Sequence, residues 1–399
     1  MRSVASTFAG AKAALAPRSV PQTAACRAAP KARASVAVRA KIGQYLEEFL
    51  MENITKNDVR QTTLALAEAS RAIAHKVRTA SCDAIGCVNS FGDNQLAVDV
   101  LADNILFEVL RFTGVVYAAC SEEVPEPVDM EPSADLCVAF DPLDGSSIVD
   151  TNFSVGTIFG VYRGKALKNI TGRDLEMGGM TQYGPRTTFC VAFKDAPHCY
   201  EFLLQASHRP SSSPFSSPSS FCPPSPSTFP FPPSPSYPSA PTCPQDDGRW
   251  VLVKETSQIG EGKMFSPGNL RGTTDNVQYG KLIQHYIAEK YTLRYTGGMV
   301  PDVFQIIVKE KGIFTNISSP SSIAKLRMVF EVAPIALLVE KAGGASSIDN
   351  KSALDKLITE YDQRSEIIYG AISEVAFCET VLNGKSDRFA DKVTQTLKA

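Results

Sequence analysis

The chain has 399 residues, 44% of them hydrophobic, which suffices for one large or two moderate cores and favours a soluble α/β enzyme. The formal net charge of −2 is unevenly distributed, because residues 1–40 hold seven Lys or Arg and no acid. The remaining chain has 33 basic and 42 acidic residues, a balance of −9 that argues against nucleic-acid binding. No run of 18 apolar residues is present to span a membrane.

The first forty residues predict an organelle transit peptide. They are rich in Ala, Ser and Arg, lack acids and have no continuous apolar core of a secretory signal. Cleavage is expected near Arg39–Lys41, and the composition suits either a chloroplast or a mitochondrion. A flexible cytosolic tail is the alternative. The ten cysteines show no regular pairing along the chain, so they do not indicate an oxidised compartment.

Two helices are predicted at the start of the mature chain, over Ile42–Met51 and from about 58 to 78, and both supply apolar core faces. Cys82 and Cys87 follow, five positions apart with a glycine between them. A bridge between them would close little chain and add little stability, which favours a switchable bond over a structural one. Two unrelated reduced thiols are the alternative.

Acidic residues follow two predicted buried strands. Val115–Ala119 precedes Glu122 and Glu123, and Leu136–Phe140 precedes Asp141 and Asp144. Ligands gather beyond the carboxyl ends of strands in α/β proteins, so Glu122, Asp141 and Asp144 are predicted to share a metal ion. Upstream, Asp93 and Asp99 are placed at or just before a helix N-terminus, where capping is the alternative explanation.

The second of these strands runs into the heptapeptide Asp141-Pro142-Leu143-Asp144-Gly145-Ser146-Ser147. The Leu143 carbonyl can add a metal ligand, and Gly145 lets the backbone approach a bound anion closely. The amides of Gly145, Ser146 and Ser147 can then face a phosphate group. Asp-Pro and Asp-Gly pairs also form ordinary turns, which is the alternative interpretation.

Residues 206–245 differ from the rest of the chain in composition. They contain 13 Pro and 13 Ser and one charged residue, Arg209. Such a segment cannot bury a core, so we predict a disordered insert, or an intron translated by a faulty gene model. It interrupts 200–204 and 246–250, which are predicted to pair as a tight hairpin.

Beyond the insert, Ile259–Lys263 is predicted to be a glycine-rich loop, and Val277–Glu289 a helix. Arg294 and Tyr295 precede two glycines, where they could clamp a second phosphate. Glu331 stands at the start of a predicted buried helix, and interaction with the helix dipole is its alternative role.

The heptapeptide resembles the signature of the magnesium-dependent, lithium-sensitive sugar and inositol phosphatase superfamily. The segments Arg327–Glu331 and Val339–Gly344 resemble the fructose-bisphosphatase family in particular. The resemblance covers Ile42 to the C-terminus except the insert. It implies the layered α-β-α-β-α sugar phosphatase fold, with the site between an N-terminal half (41–200) and a C-terminal half (246–399).

The resemblance also implies roles for individual residues. The expected metal ligands are Glu122, Asp141, Leu143 through its carbonyl, Asp144 and Glu331, with Asp99 and Glu123 completing the acidic cluster. Asp93, Asp99 and Glu123 are the expected catalytic residues, and Asp93 would help to activate the attacking water. The expected substrate-binding residues are Gly145, Ser146 and Ser147 at the 1-phosphate and Arg294, Tyr295 and Lys325 at the distal phosphate. A carboxylate-only site selects Mg²⁺, with Mn²⁺ possible, over zinc, and the resemblance implies two or more ions.

Within the family, the segments 82–93, 148–153 and 260–270 resemble the chloroplast branch that acts on a seven-carbon sugar bisphosphate. Ile148 and Asn316, where family members usually carry Asn and Tyr, favour the same branch. The resemblance implies hydrolysis of the 1-phosphate of sedoheptulose 1,7-bisphosphate in the Calvin cycle, in the chloroplast stroma. It also implies a homodimer and thioredoxin control through Cys82 and Cys87. A chloroplast fructose-1,6-bisphosphatase and a non-catalytic, redox-regulated binding protein are the alternatives.

Overall fold

The computed structural model describes residues 40–79, 84–88, 94–207 and 245–389, with the side chains of 84–88, 94–96, 206–207 and 245–247 not described. Residues 1–39 of the predicted transit peptide (1–40), Cys82, Asp93 and residues 208–244 of the predicted insert therefore lie outside the described residues. No helix in the described part of the chain is long and apolar enough to cross a membrane.

The N-terminal part begins with helices that cover one face of a large sheet. The elements are α1 (Leu46–Asn53), α2 (Asn57–Thr79), β1 (Ala84–Val88), β2 (Asn94–Leu96) and α3 (Ala97–Phe112). Both predicted helices are present, the first displaced by a few residues, and Asn57 is the first residue of α2. An apolar cluster joins these helices to the sheet, with Phe49, Leu66 and Leu106 fully buried in it.

The large sheet has eight strands in the order β11-β10-β9-β8-β6-β5-β3-β4. In chain order the strands are β3 (Ala118–Ser121), β4 (Val128–Asp129), β5 (Leu136–Asp144), β6 (Val155–Arg163), β7 (Ile170–Thr171), β8 (Leu175–Tyr183), β9 (Thr187–Phe193), β10 (Cys199–Ser207) and β11 (Gln245–Thr256). Within this series β7 belongs to a separate ribbon. The predicted strand over 115–119 was placed too early, since β3 begins at Ala118.

The predicted pairing across the insert is confirmed. Strands β10 and β11 run antiparallel, with Phe202 opposite Leu252 and Leu204 opposite Trp250. The pairing continues to Ser207 and Gln245, so both ends of the predicted 206–245 insert belong to strands.

The C-terminal part forms a second, five-stranded sheet in the order β13-β12-β14-β17-β15. Its elements are β12 (Gly260–Gly268), α4 (Val277–Ala288), β13 (Thr292–Leu293), α5 (Met299–Lys309), β14 (Lys311–Asn316), α6 (Ala333–Lys341), β15 (Ala345–Ser347), β16 (Leu357–Ile358), β17 (Ile367–Gly370) and α7 (Ile372–Asn383). Strand β16 pairs with β7, which joins the two parts of the chain.

The prediction of a glycine-rich loop at Ile259–Lys263 was wrong, because residues from Gly260 onward belong to β12. Gly260 pairs with Lys311 in a parallel ladder. A Cβ atom at Gly262 would lie 2.6 Å from the Lys311 side chain. The glycine therefore allows close contact with the neighbouring strand, which is a packing role.

Five layers result, as expected. Helices α2 and α3 pack on one face of the large sheet, and α5 and α6 lie between the two sheets. Helices α4 and α7 cover the outer face of the five-stranded sheet. The apolar cluster between the sheets includes Val300, Ile306, Ala333 and Leu338, all fully buried. The α/β class and the α-β-α-β-α order are confirmed.

Candidate active site

Strands β3 and β5 are parallel neighbours, with Ser121 opposite Phe140. Glu122 and Asp141, the next residue on each strand path, therefore emerge together at the carboxyl edge of the sheet. The Glu122 amide donates to the Phe140 carbonyl at 3.0 Å, which holds this edge together. The predicted gathering of acids beyond two strand ends is present.

Strand β5 continues through the signature as far as Asp144, four residues beyond the predicted end at Phe140. Opposite β6, Asp141 pairs with Ile158 but Asp144 with Gly156, which leaves one extra residue on β5. Residues three apart on a regular strand face opposite sides, whereas an extra residue turns the second to the same side. Asp141 and Asp144 accordingly line the same cavity.

Glu331 reaches this edge from the other half of the chain. It lies in a π-helical turn, Met328–Val332, that runs directly into the buried helix α6. One carboxylate oxygen from each of Glu122, Asp141 and Glu331 lies within 4.8 Å of the others. The predicted approach of Glu331 to Asp141 is thus present, while their role as metal ligands stays a prediction.

Burial of these acids disfavours their charged forms. Burial, followed by the charges of Glu122, Asp144 and Glu331, raises the pKa of Asp141 well above its usual range. Burial and the charge of Glu122 likewise raise the pKa of Glu331, against the hydrogen bond it accepts from the Arg327 amide at 2.6 Å. A cation placed among these carboxylates would remove the repulsion.

Arg327 supplies one positive charge to the group. Its guanidinium is 96% buried and forms an ion pair with Glu122. From the sequence, Arg327 was recognised only as part of a family motif. Nothing in its local context marks it as a partner of Glu122, which is about 200 positions away.

Asp144 has a different partner from the other acids. It accepts the amides of Met299 at 3.1 Å and Val300 at 2.6 Å, the first residues of α5. Burial raises its pKa to about 7 despite these bonds. Asp144 thus caps α5 and ties the two halves together, and it lies outside the group formed by Glu122, Asp141 and Glu331.

Gly145 and the two serines form the next turn. Gly145 has a φ of +81°, and a Cβ atom there would lie 3.3 Å from the Gly298 Cα, so both conformation and space favour glycine. Ser146–Ile148 form a single helical turn. The first amides of a helical turn have no acceptor within it, so those of Ser146 and Ser147 are available to an anion.

The cavity at this edge has a volume of about 400 Å³. Acids, the glycine-serine turn and three cationic side chains surround it. Its lining residues are Glu122, Glu123, Asp141, Leu143, Asp144, Gly145, Ser146, Ser147, Lys325, Leu326, Arg327, Glu331 and Arg364. Most predicted ligands and all three predicted 1-phosphate residues are therefore brought together.

Other predicted residues lie elsewhere. Arg294 and Tyr295 are exposed and do not line this cavity, although they precede Gly298, which packs against Gly145. Asp99 is buried in the first turn of α3 and does not line the cavity either. Asp93 and Cys82 lie outside the described residues, as does the side chain of Cys87.

Sequence reasoning missed two residues near the site. Arg364 lines the cavity and is exposed, and its backbone pairs with that of Arg327. Asp103 lies one helical turn beyond Asp99 and is buried; burial, opposed by a hydrogen bond with Ser121, raises its pKa to about 6. The i, i+4 spacing from Asp99 was the available signal for Asp103.

The donor set fits a hard divalent cation. Three carboxylates converge within bonding reach of one position, and Arg327 forms an ion pair with one of them, Glu122. Oxygen donors of this kind suit Mg²⁺, Mn²⁺ or Ca²⁺. The site can therefore hold a metal beside an anion-binding turn, which is an arrangement suited to phosphate chemistry.

Comparison with known proteins agrees with this chemistry. The model of the fructose-1-6-bisphosphatase N-terminal domain matches residues 42–208, and that of the C-terminal domain matches residues 259–383. A Chlamydomonas reinhardtii protein named chloroplastic sedoheptulose-1,7-bisphosphatase is 56% identical over 363 residues, which is 90% of this chain and 83% of the relative. A Triticum aestivum protein of the same name is 51% identical, over 89% of this chain and 80% of the relative.

A Trichlorobacter lovleyi protein named fructose-1,6-bisphosphatase class 1 is 35% identical over 340 residues, which is 84% of this chain and 93% of the relative. A crystal structure of a Toxoplasma gondii protein, proposed to be a sedoheptulose-1,7-bisphosphatase, superposes with a TM-score of 0.72 at 32% identity. That match covers 86% of this chain and 99% of the other.

The names of the plant and algal relatives support chloroplast localisation. The family models together match well over half of the chain, and they include the acids and the anion-binding turn described above. The chain therefore belongs to the fructose-1,6-bisphosphatase family and is a sugar-bisphosphate phosphatase.

Proposed function

We propose that this protein hydrolyses the 1-phosphate of sedoheptulose 1,7-bisphosphate, a Calvin-cycle reaction, with Mg²⁺ as the metal. The observation that carries the proposal is the convergence of Glu122, Asp141 and Glu331 beside the Gly145–Ser147 turn in one cavity. The relatives named for this substrate share 50–56% identity over about nine-tenths of the chain.

The acids of the cavity would hold the metal. Glu122, Asp141 and Glu331 offer converging oxygens, and Leu143 and Asp144 lie on the same bulged strand end. When bound, divalent cations would supply charge neutralisation at the phosphate and increase the acidity of a water molecule. Mg²⁺ is proposed because carboxylate and carbonyl oxygens without His or Cys favour it, with Mn²⁺ as a substitute.

The turn and the basic side chains would orient the substrate. The amides of Gly145, Ser146 and Ser147 would donate to the 1-phosphate, and Arg364, which lines the same cavity, would face its negative charge. Neither Lys325 nor Arg364 forms an ion pair with any acid among the described residues, so both charges are available. Arg327 differs, because Glu122 already engages it.

Removal of a proton from the attacking water requires a carboxylate that acts as a base. We propose Glu123, Asp99 and Asp93 for this role. Glu123 lines the cavity. Its charge contributes to the raised pKa of Asp103 on α3, so the first turns of α3 lie near Glu123. Positioned general bases typically contribute about 10²–10⁴-fold to rate.

The choice between substrates depends on the part of the site that would receive the distal phosphate. Asn316 ends β14, half-buried against Gly268, and its Oδ1 has no hydrogen-bond partner among the described residues. We propose that this small side chain leaves room for one more carbon between the two phosphates. Arg294, Tyr295 and Lys325 would receive the distal phosphate, with Arg294 of a second subunit as the alternative donor.

Fructose 1,6-bisphosphate is the rival substrate, and the family models favour it by name. The test measures phosphate release from both sugars by the parent protein and by Asn316→Tyr, with Asp141→Asn as the inactive control. We expect a preference of about ten- to a hundredfold for the seven-carbon sugar, from one well-aligned charged contact. Asn316→Tyr should narrow it. Equal efficiency on both sugars would contradict the substrate assignment, and activity retained by Asp141→Asn would contradict the site.

Thioredoxin control and a homodimer complete the proposal. Strand β1, which contains Cys87, pairs with β2, and β2 runs directly into α3 and Asp99. A bridge between Cys82 and Cys87 would restrain this path to the acids. A Cys82→Ser variant should therefore lose the response to oxidant and dithiol while the parent keeps it; an unchanged response would place the switch elsewhere. Sedimentation should give twice the chain mass of 43.0 kDa before removal of any leader.

A further inference from the structure

Two cysteines meet inside the large sheet, away from the active site. The Sγ atoms of Cys190 on β9 and Cys199 on β10 lie 3.2 Å apart, and each residue is 1% exposed. The strands are antiparallel, with Cys190 opposite Glu201 and Cys199 opposite Ala192. The two side chains are therefore diagonal neighbours on one face of the sheet.

The other buried cysteines in the described part of the chain have different partners. Cys137 donates to the Gly164 carbonyl at 3.3 Å, and Cys378 lies 3.0 Å from the Tyr286 hydroxyl. Cys120 and Cys137 occupy neighbouring strands and are equally buried, yet no sulfur contact joins them. Burial and sheet position alone thus do not produce the contact between Cys190 and Cys199.

We propose that Cys190 and Cys199 form a second disulfide site, distinct from Cys82 and Cys87. A disulfide requires an S–S distance of about 2.05 Å, so the sulfur atoms need to approach by about 1.2 Å, within the range of side-chain rotation. In the reaction, one thiolate attacks a low-molecular-weight disulfide and releases its first thiol. The other thiolate then displaces the second thiol, so the pair loses two protons and two electrons to the oxidant.

The burial of Cys190 and Cys199 would make disulfide formation slow in the folded protein. The hydrogen bond with Cys199, together with burial, raises the pKa of the Cys190 thiol well above its usual range, which suppresses the thiolate. The turn between the strands is held by Lys341 of α6, whose Nζ donates to the carbonyls of Lys194 at 2.8 Å and Ala196 at 2.7 Å. Exchange with a solution disulfide therefore waits for this hairpin to open.

The experiment uses the full chain in two arms, because access and bond formation are separate questions. In one arm the folded protein is incubated with oxidised glutathione, and in the other it is unfolded with reductant and refolded in a glutathione redox buffer. Free thiols are alkylated after denaturation, and tryptic peptides are analysed without reduction. Trypsin cuts after Lys194, which places Cys190 and Cys199 on different peptides, and further cleavage after Glu201 separates Cys199 from Cys222 and Cys243, so that only the Cys190–Cys199 disulfide can join these two peptides.

With Cys82→Ser in every variant, so that the proposed thioredoxin switch does not affect activity, we expect the joined peptides in refolded, active protein, and more slowly in the folded arm, with Cys120 and Cys137 still alkylated. Oxidised protein should melt about 4 °C higher than reduced protein, and Cys199→Ser should abolish this difference. Cys120→Ser is the matched control and should retain it. Refolded active protein in which Cys190 and Cys199 both remain alkylated would overturn the proposal. So would a bond found only in inactive protein.

Discussion

Carboxylates in two parts of this protein have opposite surroundings. Glu379 in α7 is fully buried and accepts from the Ser347 hydroxyl at 2.5 Å, from Ser386, and from the Arg388 guanidinium at 2.7 Å. At the cavity, Glu122, Asp141 and Glu331 face one another instead, with Arg327 as their paired cation. A buried acid surrounded by the chain's own donors stabilises the fold, whereas acids gathered against one another form a site for a ligand.

Replacing one acid by its amide in the cavity should have the largest effect. Burial and the neighbouring acids disfavour the charged form of Glu331 in the folded state, and Glu331→Gln removes this cost, so we expect the metal-free protein to melt at a higher temperature. Activity should fall about 10²–10⁴-fold, and the stabilisation by added Mg²⁺ should largely disappear. Differential scanning calorimetry with and without Mg²⁺, together with phosphate release, measures all three. A metal-free protein that melts lower than the parent would contradict the view of these acids as mutually repelling.

Two arginines extend the comparison to the cations. Arg388 is engaged by Glu379, whereas Arg364 at the cavity rim forms no ion pair among the described residues. Arg364→Ala should therefore raise KM about ten- to a hundredfold, with a smaller change in kcat and little change in melting temperature. Arg111→Ala, at an exposed position in the last turn of α3, is the control. An unchanged KM in Arg364→Ala would remove this residue from the substrate site.

The same Glu-to-Gln change at Glu379 should act in the opposite direction on stability. Glu379→Gln leaves Arg388 without its charged partner and keeps only weaker hydrogen bonds to the serines, at a cost of about 1–3 kcal/mol in the free energy of unfolding. Activity per folded molecule should be unchanged. Urea unfolding followed by circular dichroism gives the cost, and a variant as stable as the parent would show that the charge of Glu379 contributes nothing.

Glu374 shows a third arrangement, a buried acid held mainly neutral. Burial raises its pKa from 4.5 to about 7, although the Tyr291 hydroxyl donates to both carboxylate oxygens. Between pH 4.5 and about 7 the folded state holds a proton that the unfolded chain has released. The free energy of unfolding therefore falls as pH rises over this interval. Glu374→Gln should remove about 1–3 kcal/mol of this loss between pH 5 and pH 8. Unfolding at the two pH values measures it; an equal loss in parent and variant would assign the titration to another group.

Local sequence patterns predicted the elements that meet a regular apolar environment. Strand β5 begins at the predicted Leu136, and α4 ends one residue earlier than expected. The prediction from sequence pattern failed at Gly260–Lys263, where half-buried glycines alternate with exposed residues. Only the pairing with β14 makes this segment a strand. Strand pairing over long sequence separation is a tertiary interaction that composition does not reveal.

For the site, the residues close together in sequence were predictable and the partnerships were not. The heptapeptide carried the signal for acids and an anion-binding turn, and family resemblance added Glu331 and Lys325. Arg327 and Arg364 were missed as site cations, because each becomes part of the site only when the C-terminal half closes over the end of β5. The only role expected for Asp144 was that of a metal ligand. The hydrogen bonds that it accepts from the Met299 and Val300 amides depend on where α5 packs.

The sequence by itself determined the chemical type of this protein: an acid-rich strand end followed by Gly-Ser-Ser, without metal-spaced His or Cys, permits hard-cation phosphate chemistry and little else. The tertiary structure decided which acids face one another, which are satisfied by their own chain, and which cations remain free. It also placed Cys190 and Cys199 in contact, nine positions apart in sequence but diagonal across a hairpin. The reason is physical: residue type sets what a group can bind, whereas burial and distance, which set its charge state and its partner, arise only when separate segments pack together.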